Sequence, residues 1–253
     1  YANAQGGITL HRFFVSQTFA EEMQIVGTDA HHISNVLRMR VGQHIQIVSS
    51  DRVTALMEIK ALTADAAFVR LVKLIEQVNE PSVRIILAQG LAKGEKMDFI
   101  IQKAVEVGVN TIVPVAMEHS VVKLDKNKAE KKVERWQKIA EEAAKQSKRD
   151  IVPKVTSVMN LDEVLHSFAS STKLMAYESE TKLGLKKALS EIQNIEEVLL
   201  IIGPEGGIAG KELKAAELAG VQTFSLGNRI LRTETAGLVS ATAILYETGD
   251  LGG

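Results

Sequence analysis

The chain has 253 residues, no cysteine, and a formal net charge of −1 from 30 basic and 31 acidic residues. The absence of cysteine excludes a disulfide scaffold, a zinc-thiolate site and a cysteine nucleophile. A chain of this length can bury a sizeable core and favours two domains, and no apolar run approaches the ~20 residues of a membrane span. The first residues lack the features of a signal peptide, so the sequence predicts a cytoplasmic protein without a membrane partner.

The stretch from about residue 11 to residue 79 has the pattern of a β-rich domain. Its segments RFFV, QHIQIVSS, VTALMEIKAL and AAFVRLVKLI alternate or run apolar between turn residues, as short strands do. Between the first two segments, TDAHHISNVLRMRVG predicts a helix that Thr28 or Asp29 caps and that ends near Met39. We therefore expect a small barrel or curled sheet in this part of the chain.

The pattern changes at NEPSV, residues 79–83, where we place the boundary to a second domain that spans residues 80–253. Strands then alternate with helices, which predicts an α/β fold with a mainly parallel sheet and helices on both faces. Ligands of such sheets bind beyond the carboxyl ends of the strands. The predicted strands are VRIILAQGL, TIVPVAM, KLMAYES, VLLIIGP and VQTFSLG, and the predicted helices are KMDFIIQKAVEVGV, residues 127–147, AGKELKAAELAG and residues 234–247.

The stretch IIGPEGGIAGKE, residues 201–212, looks like an anion-binding loop, but its spacing does not fit one. In a nucleotide-triphosphate loop the pattern G-x-x-x-x-G-K-[ST] wraps phosphates with backbone amides and ends in a hydroxyl that binds magnesium. Here Glu205 stands at the first glycine position and Glu212 at the hydroxyl position. The dinucleotide pattern G-x-G-x-x-G fails as well. The loop therefore holds a ligand other than a phosphate, or it is a strand-to-helix turn without any ligand.

A second glycine turn lies in VQTFSLGNRILRTETA, and both turns follow predicted strands of the same sheet. Each turn alone is a weak signal. Together they bring two flexible backbone stretches, with Glu205, Arg229, Arg232 and Glu234 nearby in sequence, to the edge where a ligand would bind. An ion pair at the start of the last helix would explain Arg232 and Glu234 without any function.

Six stretches of the chain are similar to one known family. They are HRFF, HHISNVLRMRVG, KGEKMDFIIQKAVEVGV, RWQKIAEEAAKQSKR, IGPEGG and SLGNRILRTETA, and the pairing of IGPEGG with RILRTETA is the most specific of them. Across about residues 11–250 the chain resembles the bacterial RsmE family, which methylates N3 of uracil in 16S ribosomal RNA. The resemblance implies a PUA-like RNA-binding β-barrel at residues 11–79 and a SPOUT methyltransferase domain with a trefoil knot at residues 80–253.

The resemblance also implies that both glycine turns form the pocket for S-adenosylmethionine, a cofactor with a sulfonium cation and no phosphate. Glycine lets the backbone approach such a ligand closely. Glu205 could face the sulfonium or the ribose hydroxyls, or it could cap the helix that begins near Ala209. By position, the resemblance assigns cofactor binding to Gly203, Glu205, Gly207, Leu226, Gly227, Ile230 and Leu231.

Methylation at N3 requires the enzyme to remove a weakly acidic imide proton and to stabilise the negative charge that spreads onto the uracil oxygens. Arg232 is the first candidate for the cation that faces these oxygens. Glu234 is its orienting partner or the proton acceptor. Arg12, beside Phe13 and Phe14, could also reach the base, because similar proteins place an N-terminal arginine near the active site.

The sequence also contains candidates for RNA binding. Residues 123–150 hold ten basic and six acidic residues, although such a run is more often a solvated helix face. The resemblance assigns the small domain to RNA, and the candidates there and at the end of the basic helix are His31, His32, Arg38, Arg40, Gln146 and Arg149. Trp136 recurs with Val133 and Ala140 at helical spacing and favours a core position. The histidines have no convincing metal spacing, so we expect no metal site.

The last helix, ETAGLVSATAILYE, is apolar on more than one face. This pattern suits burial against both its own sheet and a second copy, although a core helix of a monomer would look similar. The resemblance favours a homodimer through the C-terminal domain. A non-catalytic RNA-binding or ribosome-assembly protein with the same fold is the alternative function, and the intact RILRTETA stretch argues against it.

Overall fold

The computed structural model describes residues 10–76, 79–192 and 195–252. The chain divides into two compact units. Residues up to Glu80 form the first unit together with Lys148–Ile151, and Pro81–Ser147 and the residues from Val152 onward form the second. The return of residues 148–151 to the first unit has no counterpart in the sequence pattern. None of the described helices has the length and apolarity that a membrane crossing requires.

The first unit is built on a curled five-stranded sheet in the order β1-β3-β4-β5-β2. β1 runs parallel to β3, and the other neighbours are antiparallel. Two register shifts between β4 and β5 increase the local twist and bend the sheet around its core. The curled sheet predicted for this part of the chain is confirmed. Its strands are β1 (Arg12–Phe14), β2 (Glu22–Val26), β3 (His44–Val48), β4 (Thr54–Leu62) and β5 (Ala66–Ile75).

The helix of the first unit differs from the prediction at both ends. α1 (Gly27–His31) starts directly after β2, and Val26 is its N-cap without a side-chain hydrogen bond, so neither Thr28 nor Asp29 caps it. A π-helical turn, His32–Val36, continues it. Arg38 then adopts a φ of +52°, which cannot continue a right-handed helix, and the helix therefore ends before Met39.

The second unit contains a six-stranded sheet in the order β11-β9-β10-β6-β7-β8. Every pairing of this sheet is parallel, as the alternation of strands and helices predicts. β6 and β10 lie at its centre and read as continuous apolar runs because helices cover both faces. The strands are β6 (Arg84–Gly90), β7 (Thr111–Val115), β8 (Lys154–Val155), β9 (Thr172–Ala176), β10 (Glu197–Ile202) and β11 (Gln222–Phe224).

Helices pack on both faces of this sheet. Ile86 and Ala88 belong to a core cluster with residues of α4 and α6, whereas Leu87 contacts α7 near Gly237. Consecutive strand residues point to opposite faces, so α7 lies on the face opposite α4 and α6. The short elements β8, α4 and α5 were not predicted. The trefoil knot that the resemblance implies stays a prediction. The helices are α2 (Lys96–Val107), α3 (Lys126–Gln146), α4 (Leu161–Ser167), α5 (Leu185–Ser190), α6 (Gly210–Leu218) and α7 (Thr233–Glu247).

Candidate functional site

A cavity of about 540 Å³ opens in the second unit beyond the carboxyl ends of β9, β10 and β11. Its walls are the loops 177–184, 203–209 and 225–232, which follow these strands. Parallel strands end at the same edge of a sheet, so three loops distant in sequence meet here. The cavity brings together Gly203, Glu205, Gly207, Leu226, Gly227, Ile230, Leu231 and Arg232, all predicted as site residues.

Close backbone packing shapes the loop after β10. A Cβ atom on Gly90, at the end of β6, would lie 2.5 Å from the backbone nitrogen of Pro204. Only glycine allows this approach, which presses the loop against the neighbouring strand. Gly207 has a φ of +74°, which turns the chain back toward the start of α6. The loop is therefore set by packing between strands as well as by its own turn residues.

The start of α7 is tied to the same loop. Thr233, the first residue of α7, donates a hydrogen bond from Oγ1 to the carbonyl oxygen of Gly203 at 2.7 Å. Gln89 Nε2 donates to the same hydroxyl at 2.8 Å from the end of β6. Both groups are buried, where an unmade hydrogen bond would be costly. This chain of bonds holds the two glycine turns in one fixed arrangement.

Glu205 and Glu234 share one cation, Lys96. The ammonium of Lys96 lies 3.0 Å from Glu205 Oε1 and 3.3 Å from Glu234 Oε2. The hydrogen bond to Glu205, supported by the charge of Glu234, raises the pKa of Lys96. Burial acts to raise the pKa of Glu205, but hydrogen bonds from the Lys93 backbone N–H and from Lys96 outweigh it and lower that pKa. Both partners are therefore charged near neutral pH.

Glu205 does not cap the helix that follows it. Glu212 Oε2 accepts the backbone N–H of Ala209 at 3.1 Å at the start of α6. The other carboxylate oxygen of Glu212 accepts the backbone N–H of Glu118 at 2.8 Å. The residue that stands in place of a phosphate-loop hydroxyl is thus a structural cap, and Glu205 remains on the wall of the cavity.

Arg232 is exposed at the wall of the cavity, at the N-cap of α7. Within the described parts of the chain, its guanidinium makes no hydrogen bond or ion pair. Glu234 contacts Lys96 instead, so the pairing of Glu234 with Arg232 is not observed. Arg232 is consequently able to meet an incoming group without breaking an existing bond.

Two arginines predicted as site residues have structural partners in the first unit. Arg12 is buried and donates to the carbonyl oxygens of Lys148, at 2.7 Å, and Arg149, and its Nη1 lies 3.1 Å from Asp150 Oδ1. The guanidinium of Arg149 is also buried and binds both carboxylate oxygens of Glu80, with Nη2 at 2.6 Å from Oε2. Guanidinium groups held in this way fix the segment 148–151.

The other RNA candidates lie at the surface. In the first unit His31, Arg38 and Arg40 are exposed, and the half-buried His32 packs edge-on against Phe13 with 6.0 Å between ring centroids. In the second unit Gln146 is exposed at the end of α3. Trp136 of α3 is buried and donates from Nε1 to Asp98 at 3.1 Å, which agrees with a core position. Among the described residues, no group of His, Asp or Glu is arranged to hold a metal ion.

Three charged residues of the cavity wall, Lys96, Glu178 and Glu180, were not among the predicted site residues. Glu178 lies in the loop after β9, and its Oε1 is 3.6 Å from the position of a Cβ atom on Gly207. The strand KLMAYES was predicted, so the rule that ligands bind beyond strand ends could have indicated this loop. Nothing in the local sequence indicates Lys96, because its partners are more than a hundred positions away along the chain.

Two family models match the chain. The model of an RNA methyltransferase domain matches residues 79–245, and the model of an RNA methyltransferase PUA domain matches residues 26–72. The first of these models spans every residue that lines the cavity.

Relatives align over nearly the whole chain. Ribosomal RNA small subunit methyltransferase E of Bacillus subtilis is 38% identical over 94% of this chain and 97% of the relative. The protein of the same name from Buchnera aphidicola of Acyrthosiphon pisum is 32% identical over 87% of this chain and 86% of the relative.

Solved structures are also similar. The Neisseria gonorrhoeae ribosomal RNA small subunit methyltransferase E bound to S-adenosyl methionine superposes with a TM-score of 0.85 at 30% identity, over 94% of this chain and 98% of that one. A putative methyltransferase from Legionella pneumophila in complex with the same cofactor has a TM-score of 0.84 at 30% identity, over 95% of this chain and 98% of that one.

Proposed function

This chain belongs to the ribosomal RNA small subunit methyltransferase E family, and we propose that it methylates N3 of one uridine in 16S ribosomal RNA with S-adenosylmethionine as methyl donor. The observation that carries the proposal is the cavity at the sheet edge, which is walled by both glycine turns and by the exposed Arg232. Relatives whose structures contain the methyl donor share this fold at 30% identity, which supports the same cofactor here.

The residues of the cavity fit a sulfonium cofactor. Apolar side chains and glycine backbone suit an adenine ring, whereas the carboxylates of Glu178 and Glu205 suit a cation and ribose hydroxyls. When bound, S-adenosylmethionine supplies a methyl carbon on a cationic sulfur, whose neutral thioether is the leaving group. We assign cofactor binding to Gly203, Glu205, Gly207, Leu226, Gly227, Ile230 and Leu231.

We assign the electrostatic part of the chemistry to Arg232. The imide proton of uracil leaves during the reaction, and negative charge spreads onto the two ring oxygens. A cation that faces these oxygens stabilises the transition state by roughly 3 to 4 kcal/mol. Arg232 suits this role because it lies on the cavity wall and has no bond to break within the described residues.

We assign proton removal to Glu234. It stands two residues after Arg232 in the first turn of α7, and its Oε2 lies 3.3 Å from the ammonium of Lys96, which itself lines the cavity. An orienting role toward Arg232 has less support, because the contact of Glu234 is with Lys96. Arg12 has a buried set of partners, and we leave it out of the catalytic proposal.

We further propose that His31, His32, Arg38 and Arg40 of the first unit, with Gln146 of the second, contact the ribosomal RNA. The support is the exposed position of His31, Arg38, Arg40 and Gln146 and the charge of the two arginines, since phosphate contacts fix the position and register of a bound nucleic acid. Arg149 is not included because its guanidinium is held by Glu80. The substrate that we propose is the RNA of the small ribosomal subunit in the cytoplasm.

A homodimer through the C-terminal domain is the proposed quaternary structure. α2 and α7 pack on one another, and between them they expose Phe99 (47%), Val239 (41%) and Tyr246 (67%). Val239 and Tyr246 are seven residues apart and so share one face of α7, and exposed large apolar side chains of this kind commonly mark a protein interface. Light scattering at micromolar concentration should give twice the chain mass of 27.6 kDa. A mass of one chain would contradict the proposed dimer.

Mass spectrometry of ribosomal RNA tests the function directly. RNA from a strain that lacks the gene should lack one methylated uridine, and a plasmid copy of the gene should restore it. The same RNA should accept labelled methyl from S-adenosylmethionine in the presence of the purified protein. An unchanged modification pattern, together with tight RNA binding, would instead indicate the non-catalytic RNA-binding alternative.

A further inference from the structure

The first residue of α2, Lys96, joins three separate segments of the chain at the cavity. Its ammonium lies between Glu205 of the loop after β10 and Glu234 of the first turn of α7. Lys96 itself lines the cavity, and its side chain is 31% exposed. A lysine at a helix N-terminus is unfavourable toward the helix dipole, so its position depends on these two carboxylates.

The two contacts of Lys96 differ in kind. Glu205 Oε1 accepts hydrogen bonds from the ammonium and from the backbone N–H of Lys93, each at 3.0 Å, so this carboxylate has one fixed orientation. Glu234 Oε2 is buried and lies at the longer distance of 3.3 Å from the same ammonium. Two carboxylates share one ammonium, and the cluster therefore has an excess of negative charge.

We propose that Lys96 is a positioning residue of the methyl-donor pocket. It holds the carboxylates of Glu205 and Glu234 beside the cavity, and the net negative charge of this cluster favours a cationic sulfonium over the neutral thioether that remains after methyl transfer. The inference rests on the proposed function. A preference for the cation promotes exchange of spent product for fresh donor at each turnover, because only the donor carries the sulfonium charge.

Calorimetric titration of S-adenosylmethionine and S-adenosylhomocysteine tests the positioning role. Lys96→Met should weaken the binding of both ligands about tenfold, because Glu205 and Glu234 then repel one another and the loop loses its anchor. Lys96→Arg should remain within about threefold of the wild type, because it keeps the charge. The matched control is Lys103→Met on the same helix. The side chain of Lys103 is 37% exposed and pairs with Glu106. This control should bind both ligands as the wild type does.

The charge preference is tested with Glu234→Gln, which keeps the side-chain volume and removes the excess negative charge. The affinity ratio of S-adenosylmethionine to S-adenosylhomocysteine should fall about fivefold, as expected for one charge at short range in a partly solvated site. In steady-state kinetics, Lys96→Met should raise KM for the donor more than it lowers kcat. A purely structural role would lower the melting temperature of the unliganded protein and would not raise KM for the donor more than it lowers kcat.

The positioning role, the charge preference and the proposed function are each contradicted by a different result. If Lys96→Met binds both ligands like the wild type, the positioning role is wrong. If Glu234→Gln leaves the affinity ratio unchanged, the charge preference is wrong. If the wild-type protein binds neither ligand, the proposed function fails, whatever the variants do. Melting curves of each variant without ligand establish that the proteins compared are folded.

Discussion

Arg232 is the residue on which the proposed chemistry depends most directly. Arg232→Ala removes a cation from the cavity wall without breaking any bond that the described residues make. We expect kcat to fall by about a hundredfold or more, as for other losses of one transition-state donor. The affinities for S-adenosylmethionine and RNA should stay within several-fold of the wild type. Single-turnover kinetics and calorimetry on the same variant measure the two quantities.

Arg229→Ala is the control for this prediction, because Arg229 lines the same cavity from the same loop. If the loss of turnover follows Arg229 and not Arg232, the proposed role belongs to the wrong arginine.

The Lys96–Glu205 pair predicts a pH dependence of stability. The pKa of Glu205 is lowered from 4.5, so its contribution is present above that value and is lost as the pH falls through the lower folded pKa. The pKa of Lys96 is raised from 10.5, so its contribution is present below that value and is lost only at higher pH. Urea unfolding should therefore show a smaller difference between wild type and Glu205→Gln near pH 3.5 than at pH 7. An equal difference at both pH values would contradict the pairing.

At the level of elements, the contact between β6 and the loop after β10 decides the shape of the cavity. Gly90→Ala would place a methyl group 2.5 Å from the backbone nitrogen of Pro204, and backbone cannot yield as a flexible side chain can. We expect the free energy of unfolding to fall by roughly 1 to 3 kcal/mol, with weaker cofactor binding. Gly210→Ala is the control because a Cβ atom there meets nothing within 4 Å. It should be neutral or slightly stabilising, and equal losses in both variants would refute the steric explanation.

The buried pair of Arg12 and Asp150 decides how the segment 148–151 is held in the first unit. Arg12→Met would leave the carboxylate of Asp150, which is 1% exposed, without this partner. Loss of one partner of a buried pair costs about 3 to 5 kcal/mol. The exposed pair of Arg84 and Glu197 offers a control, and Arg84→Met should cost less than about 1 kcal/mol. Chemical denaturation measures the free energy of unfolding of both variants. An Arg12→Met protein that is as stable as the wild type but has lost turnover would restore the catalytic role for Arg12.

At the scale of the whole molecule, RNA binding and cofactor binding should be separable. Arg38 and Arg40 are exposed in the first unit, whereas the cavity lies in the second. The double variant Arg38→Glu and Arg40→Glu should weaken RNA binding and reduce its salt dependence, because fewer phosphate contacts release fewer counterions. Its affinity for S-adenosylmethionine should stay unchanged. A filter-binding salt series and calorimetry measure the two.

A second double variant, Arg70→Glu and Lys73→Glu, makes the same change of charge at exposed positions of β5. It controls for the general repulsion of a more acidic protein. RNA affinity that falls equally in both double variants would contradict a specific RNA surface at Arg38 and Arg40.

The sequence by itself determined the parallel sheet, the curled sheet and the two glycine turns, because strand periodicity and turn residues are local properties. The order of strands then placed both turns at one edge, and Arg232 with them. Only the tertiary structure decided the partners of the charged residues. Lys96 finds Glu205 and Glu234, and Arg12 finds Asp150, across separations that no local pattern records. A charge that packing buries loses its water and is costly unless an opposite charge lies beside it. Which charges become neighbours depends on the packing of the whole chain.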